Sequence, residues 1–362
     1  GWPAFLAGRQ MPAPARTGTV GEVTGHPAPR HRLRLAFALF LLAPLVGEYL
    51  LGNQPITALP ALPYLAPLYG GGALLVRETA RRTGRGWPAM VLLGAAYALI
   101  EEGPIDQMLW NPHYGGVDMG AVYGGTQVGW LGTSVALLQS VLSMHTVWSI
   151  CVPIALIESF DRDPGRPWLG RPGLMVTAVV FMAGSVFLAA SQHSSEHFMA
   201  SWAQFAGVAV AVVGLAVLAF VVGRNPRPRI DTAAPRPRAV GCASFGLCSL
   251  YWGGQTFLVG GTSPWISVAA WFVLAGVAVT LCVRWSRRRG WGAAHRLALA
   301  AGALLTYVWV GFTQGLSLGV PLVIGLIGST LLGIGALLLL AAAARALHRH
   351  RAGEPARPTV PA

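Results

Sequence analysis

Every basic residue of this chain is an arginine, and the arginines occupy only alternate gaps between long apolar runs. The runs span residues 35–51, 56–76, 87–110, 136–157, 172–190, 202–222, 239–259, 264–283, 297–315 and 320–344. Most reach or exceed the roughly 18 residues that a helix needs to cross a bilayer. Five arginines precede the first run, and four lie between the second and third, three between the fourth and fifth. Five more separate the sixth and seventh, five fall about the start of the ninth, and four follow the tenth, which accounts for all 26. A missed or added span would scramble this alternation. Cytoplasmic loops collect Lys and Arg, so the pattern predicts ten spans with both termini cytoplasmic. Only helices satisfy a lipid-exposed backbone internally apart from closed barrels. The expected fold is therefore all-α, a polytopic membrane helix bundle of about ten transmembrane helices.

Composition excludes the soluble classes. Of 362 residues, 54% are hydrophobic and 11% charged, against about 25% charged in soluble domains. The net charge of +13 would suit phosphate binding, but its confinement to short clusters between apolar runs argues for no nucleic acid partner. Membrane lipids are the expected surroundings, in the cell's inner (cytoplasmic) membrane. The four cysteines, Cys151, Cys242, Cys248 and Cys282, fall in spans on the reducing side and read as small buried residues.

The organisation expected is a disordered basic tail (1–34), a six-helix membrane domain (35–222), an Arg/Pro linker (223–238), a four-helix domain (239–347) and a disordered tail (348–362). The spans of the four-helix domain contain no acidic residue. Any polar pocket is expected in the front six.

Charges inside spans are costly and mark functional candidates. The third run contains Glu101, Glu102 and Asp106 around Pro104. Glu101 lies about 21 Å from the inner end of its run, below the outer surface of a core about 30 Å thick. Glu102 and Asp106, spaced i, i+4, share a helix face. Two adjacent carboxylates in low dielectric resist ionising together, which suits general acid–base work. His145, in the fourth run, lies about 13 Å below the outer boundary and so at a similar depth. His193 and His197, again i, i+4, stand beside Glu196 between the fifth and sixth runs, a spacing that places two imidazoles on one face as chelation requires. Asn111 and His113 belong to a long outer loop and are candidate binding residues, and Glu48 lies near the outer end of the first run.

The order Glu101-Glu102, His145, His193 resembles the CPBP (CAAX-processing and bacteriocin-processing) intramembrane proteases, whose motifs are EExxxR, FxxxH and HxxxN or HxxxD on successive helices. Here Asp106 stands at the Arg position, Val141 at the Phe position and His197 at the Asn/Asp position. The resemblance implies hydrolysis of a peptide bond within the membrane, with Glu101, Glu102, His145 and His193 catalytic. It also implies a divalent metal as candidate cofactor, and with the chelating spacing of His193 and His197 the candidate ligands are His145, His193 and His197. The residues themselves leave two other readings open. One is a proton-coupled transporter using the same acids as a relay, and the other a membrane enzyme applying acid catalysis to an isoprenoid or other lipid.

Overall fold

Each apolar run forms a long helix in the computed structural model, which describes residues 30–222, 228–257 and 263–352. We number the helices α1 (Arg30–Leu50), α2 (Leu62–Arg82), α3 (Trp87–Ile100), α4 (Val135–Glu158), α5 (Arg171–Glu196), α6 (Trp202–Val221), α7 (Pro237–Phe257), α8 (Pro264–Ser286), α9 (Ala293–Ser317) and α10 (Leu322–Ala352). Among the described residues eight helices are long and apolar enough to cross a membrane. The other two on expected runs are α3, short as a regular helix, and the glycine- and serine-rich α7. The expected disorder of residues 1–29 and 353–362, and Arg224 and Arg227 of the linker, lie outside the described residues.

Lipid explains the outer surface. Val210, Val213 and Val217 on α6 and Phe272, Val273 and Val279 on α8 are all exposed, apolar faces that water would penalise. The inner faces pack in three clusters. One joins α1–α4 through Leu39, Leu68, Met90 and Ile154. A second carries α4 and the end of α1 onto α7, α9 and α10. At its centre Trp148 stacks on Tyr307 with ring centroids 4.5 Å apart, and the Trp148 indole N–H donates to Ala303 O at 2.8 Å. The third, toward the outer side, holds Leu99, Leu109, Leu137 and Val141.

Five helix boundaries depart from expectation. Helix α1 begins at Arg30 and α10 continues to Ala352, so both tails are partly helical. Helix α2 runs to Arg82, beyond residue 76, because its arginines find protein partners and not only water. Regular α3 stops at Ile100, well short of 110, continues as a π-helical segment to Ile105, and is ended by Gln107 at φ +57. Helix α5 persists to Glu196, six residues past the expected end, and His197 closes it in the left-handed conformation at φ +51. The loop after α3 contains a one-turn helix (Met119–Tyr123) and a small antiparallel ladder of Gln127–Val128 with Thr133–Ser134. All four cysteines are free thiols; Cys242 is exposed and Cys151, Cys248 and Cys282 are only partly buried, so none is fully buried, contrary to expectation.

Candidate functional site

Three stretches of the described helices are π-helical: Leu45–Leu50 at the end of α1, Glu101–Ile105 after α3, and Met144–Cys151 within α4. Each lies at a proline, namely Pro44, Pro104 and Pro153. A proline has no N–H for the carbonyl four residues back, and a wider i→i−5 turn re-pairs part of the backbone. After Glu101, for example, the Asp106 N–H donates to Glu101 O at 2.8 Å. Single π turns recur at functional sites because the extra residue re-aims side chains. Here the three stretches carry Glu48, the Glu101–Glu102 pair, and His145 with Ser149, and they point these groups at one another.

His145 is the hub. Its Nε2 lies 2.7 Å from Glu102 Oε1 in a hydrogen bond. Its Nδ1 lies 2.8 Å from Glu101 Oε2 and 3.2 Å from Ser149 Oγ, and of these contacts only the serine has hydrogen-bond geometry. Glu101, Glu102 and His145 are 1%, 4% and 3% exposed. Both oxygens of Glu101 and Oε2 of Glu102 have no hydrogen-bond partner. Buried carboxylate oxygens cost free energy unless a donor reaches them.

Tyrosines wall the centre. The Tyr69 hydroxyl donates to Glu48 Oε1 at 2.7 Å, and its ring centroid lies 6.0 Å from that of His145. Tyr97 stands edge-on to His145 at 6.3 Å. Two glycines permit this closeness. A Cβ on Gly47 would come 2.7 Å from Ser149 Oγ, and one on Gly72 would collide with the Tyr97 ring. On the lipid side of the same π turn, Ile100, Pro104, Phe205, Val208, Ala209 and Val212 line an apolar groove of about 450 Å³.

On the outer side, Tyr114 donates to Asp106 Oδ2 at 3.2 Å and accepts from Gln192 Nε2 at 2.8 Å. Burial, and after it the Asp106 charge, pushes the Tyr114 hydroxyl pKa up. Asn111 is buried and donates to Glu196 Oε2 at 3.0 Å, while the Gly115 N–H also reaches Glu196. His113 is exposed and contributes a backbone N–H to Asn111 Oδ1.

The structure therefore gathers Glu101, Glu102 and His145, with Asp106 on the adjoining turn, and leaves the other histidines apart. His193 and His197 are exposed. His193 bonds the Phe198 carbonyl, and neither histidine makes a hydrogen bond or ion pair with the centre. Among the described residues no three or more His, Cys, Asp and Glu side chains are placed to hold a metal ion. Both His145 nitrogens face carboxylate or hydroxyl oxygens, and neither faces His193 or His197. His145, His193 and His197 do not form the expected metal triad.

A second polar cluster, at the opposite end of α2, went unread in the sequence. Arg77, fully buried, donates to Glu158 Oε1 at 3.1 Å, to Glu78 Oε1 at 2.7 Å, and to the Pro164 and Arg166 carbonyls. Its guanidinium lies 3.3 Å over the Trp168 ring. Arg81 grips Glu158 through both oxygens at 2.9 and 2.6 Å. Glu78 accepts from the Trp168 and Leu169 N–H groups, and the Trp168 indole donates to Asp161 at 2.7 Å. Arg77, Arg81, Glu78 and Glu158 are all ion-paired, which describes a clamp joining α2, α4 and the 159–170 loop.

Residues 37–349 match the model of a family described as an uncharacterized membrane protein family. The chain belongs to that family. The match reaches from α1 into α10 and includes both clusters. It is not accompanied by a match to the CPBP proteases, and no curated protein and no solved structure matches the chain.

Proposed function

We propose that the Glu101–His145–Glu102 centre is the acid–base site of a membrane-embedded hydrolase in the inner (cytoplasmic) membrane, that the chain crosses that membrane ten times, and that both termini are cytoplasmic. The observation that carries the functional reading is one imidazole held between two carboxylates, three of whose oxygens have no partner. A water donating to Glu101 Oε1 would have a proton acceptor beside the imidazole. As the water oxygen bonds to a carbonyl carbon, one water proton passes to Glu101. His145, oriented through Nε2 by Glu102, delivers a proton to the leaving group as its bond to carbon breaks, and the proton taken up by Glu101 then returns to the imidazole across the 2.8 Å between Glu101 Oε2 and Nδ1, which resets the pair. Glu48 and Tyr69 close the site on the α1–α2 side.

The apolar groove beside Pro104 favours a substrate already in the bilayer, a peptide segment or a lipid. The order of the acid pair and His145 on successive helices agrees with what the CPBP resemblance implies. His193, His197 and a metal have no part in this mechanism. The test is to express wild type, Glu102→Gln and His145→Ala at equal membrane levels in heavy-oxygen water and to analyse membrane peptides and lipids by mass spectrometry. Products carrying one heavy oxygen, present with wild type and lost in both variants, support the reading. Identical product profiles in all three refute it.

A further inference from the structure

Exchange with bulk water sets the protonation state in which the centre begins its work, yet its three groups are almost wholly enclosed. The groups facing it from its own helices are Glu48, Tyr69 and Tyr97, which lie within the bundle. Toward the outer side the hydrogen-bonded chain is different. Asp106 follows the Glu101 π turn directly, its N–H bonded to the Glu101 carbonyl, and sits four residues after Glu102 on the same face. Its Oδ2 accepts from Tyr114, and Tyr114 accepts from Gln192 in the last turns of α5. Asp106, Tyr114 and Gln192 are each only partly buried, and His193 beside them is open to solvent. On α5, Glu196 is engaged by Asn111 and Gly115 and His193 bonds the Phe198 carbonyl, while His113 and Asp118 of the loop are exposed.

We propose that Asp106 and Tyr114 form the proton-exchange route between the buried centre and the outer aqueous side, with Gln192 holding the tyrosine in line. For each inward proton, the Tyr114 O–H bond directed at Asp106 breaks and the proton joins the Asp106 carboxylate. A new O–H bond forms on Tyr114 from a hydronium outside, and the tyrosine ends neutral. The Asp106 proton then passes to Glu102 or to a water between them. Outward transfer reverses these steps. Asp106 and Tyr114 are positioning residues: they serve the centre and need not touch substrate.

This inference rests on reading the centre as an acid–base site, but its test reads proton movement and not cleavage. Protein reconstituted in lipid vesicles is given a rapid external acid jump, and the carbonyl stretch of protonated buried carboxyls is followed by time-resolved infrared spectroscopy. Tyr114→Phe is expected to slow the rise about tenfold or more, as loss of a proton-transfer partner does, while reaching the wild-type final amplitude. Should that variant misfold, Gln192→Leu keeps the hydroxyl, loosens its aim and is expected to give a smaller slowing. A wild-type rise rate in Tyr114→Phe, or in Gln192→Leu where it stands in, overturns the route. Slowed exchange without any hydrolytic product would uphold the route and refute the hydrolase. Product formation with unslowed exchange would do the reverse.

Discussion

Replacing Glu158 by Gln tests the clamp at the far end of α2 with almost no change of shape. The carboxylate accepts three hydrogen bonds from two guanidiniums, at 3.1, 2.9 and 2.6 Å. The amide offers one acceptor in place of two and turns an N–H₂ toward a guanidinium that also donates. Arg77 has no access to water, so its charge would be balanced by Glu78 alone. Removing one partner of a buried pair costs about 3–5 kcal/mol because the remaining charge is uncompensated. With Glu78 still in place, we expect the lower end, about 3 kcal/mol. The comparison is Arg166→Ala, which breaks an ion pair to Asp163 whose side chains are 71% and 51% exposed. Exposed pairs contribute about 0–1 kcal/mol. Equilibrium unfolding in mixed micelles would measure both. The double variant Glu158→Gln, Arg77→Met should recover part of the loss, because it removes the stranded charge. A loss for Glu158→Gln no greater than for Arg166→Ala would refute the argument.

Three further outcomes follow from the same geometry. Gly47→Ala places a Cβ 2.7 Å from Ser149 Oγ and should cost about 1–3 kcal/mol as overpacking does, measured by the same unfolding experiment, with Ser149→Gly restoring most of it. Cysteines at Gly52, Gln127, Ser194 and Ser317 should react with an impermeant thiol reagent from outside intact cells, while Arg82→Cys and Arg288→Cys should not; external labelling of either arginine position would contradict the ten-span topology. His193→Ala and His197→Ala should retain the product-forming activity that His145→Ala abolishes, and loss of activity in either would return those histidines to the site.

The membrane bundle was legible because two independent signals coincide in this chain, the apolar runs and the alternation of arginines between them. Glu101, Glu102 and His145 were legible for a related reason, since a titratable group within an apolar run has few explanations. The same economy misled elsewhere. Treating arginines as markers of wet gaps hid Arg77, which pairs with a glutamate 81 residues away, a contact that no local pattern announces. The i, i+4 spacing of His193 and His197 suggested chelation, but α5 continues past residue 190 and ends in an exposed turn, so that spacing reflects an ordinary helix. Tyr69, Ser149 and Tyr114 were unreadable as site members because a hydroxyl in an apolar helix or a glycine-rich loop has many uses. The prolines carry a further signal. Pro44 and Pro153, with Pro104, place a helix-breaking residue near Glu48, His145 and the acid pair alike, and these are the stretches that become π-helical.

The account depends most on His145 being held by both glutamates at once. Solid-state nitrogen NMR of the protein in bilayers, with histidine ring nitrogens labelled and His145 assigned by its absence in His145→Ala, measures that directly. The prediction is that Glu102→Gln shifts chiefly the Nε2 signal and Glu101→Gln chiefly Nδ1, each leaving the other nitrogen much less affected. Ring signals of His145 that stay unchanged in both variants would contradict the shared centre.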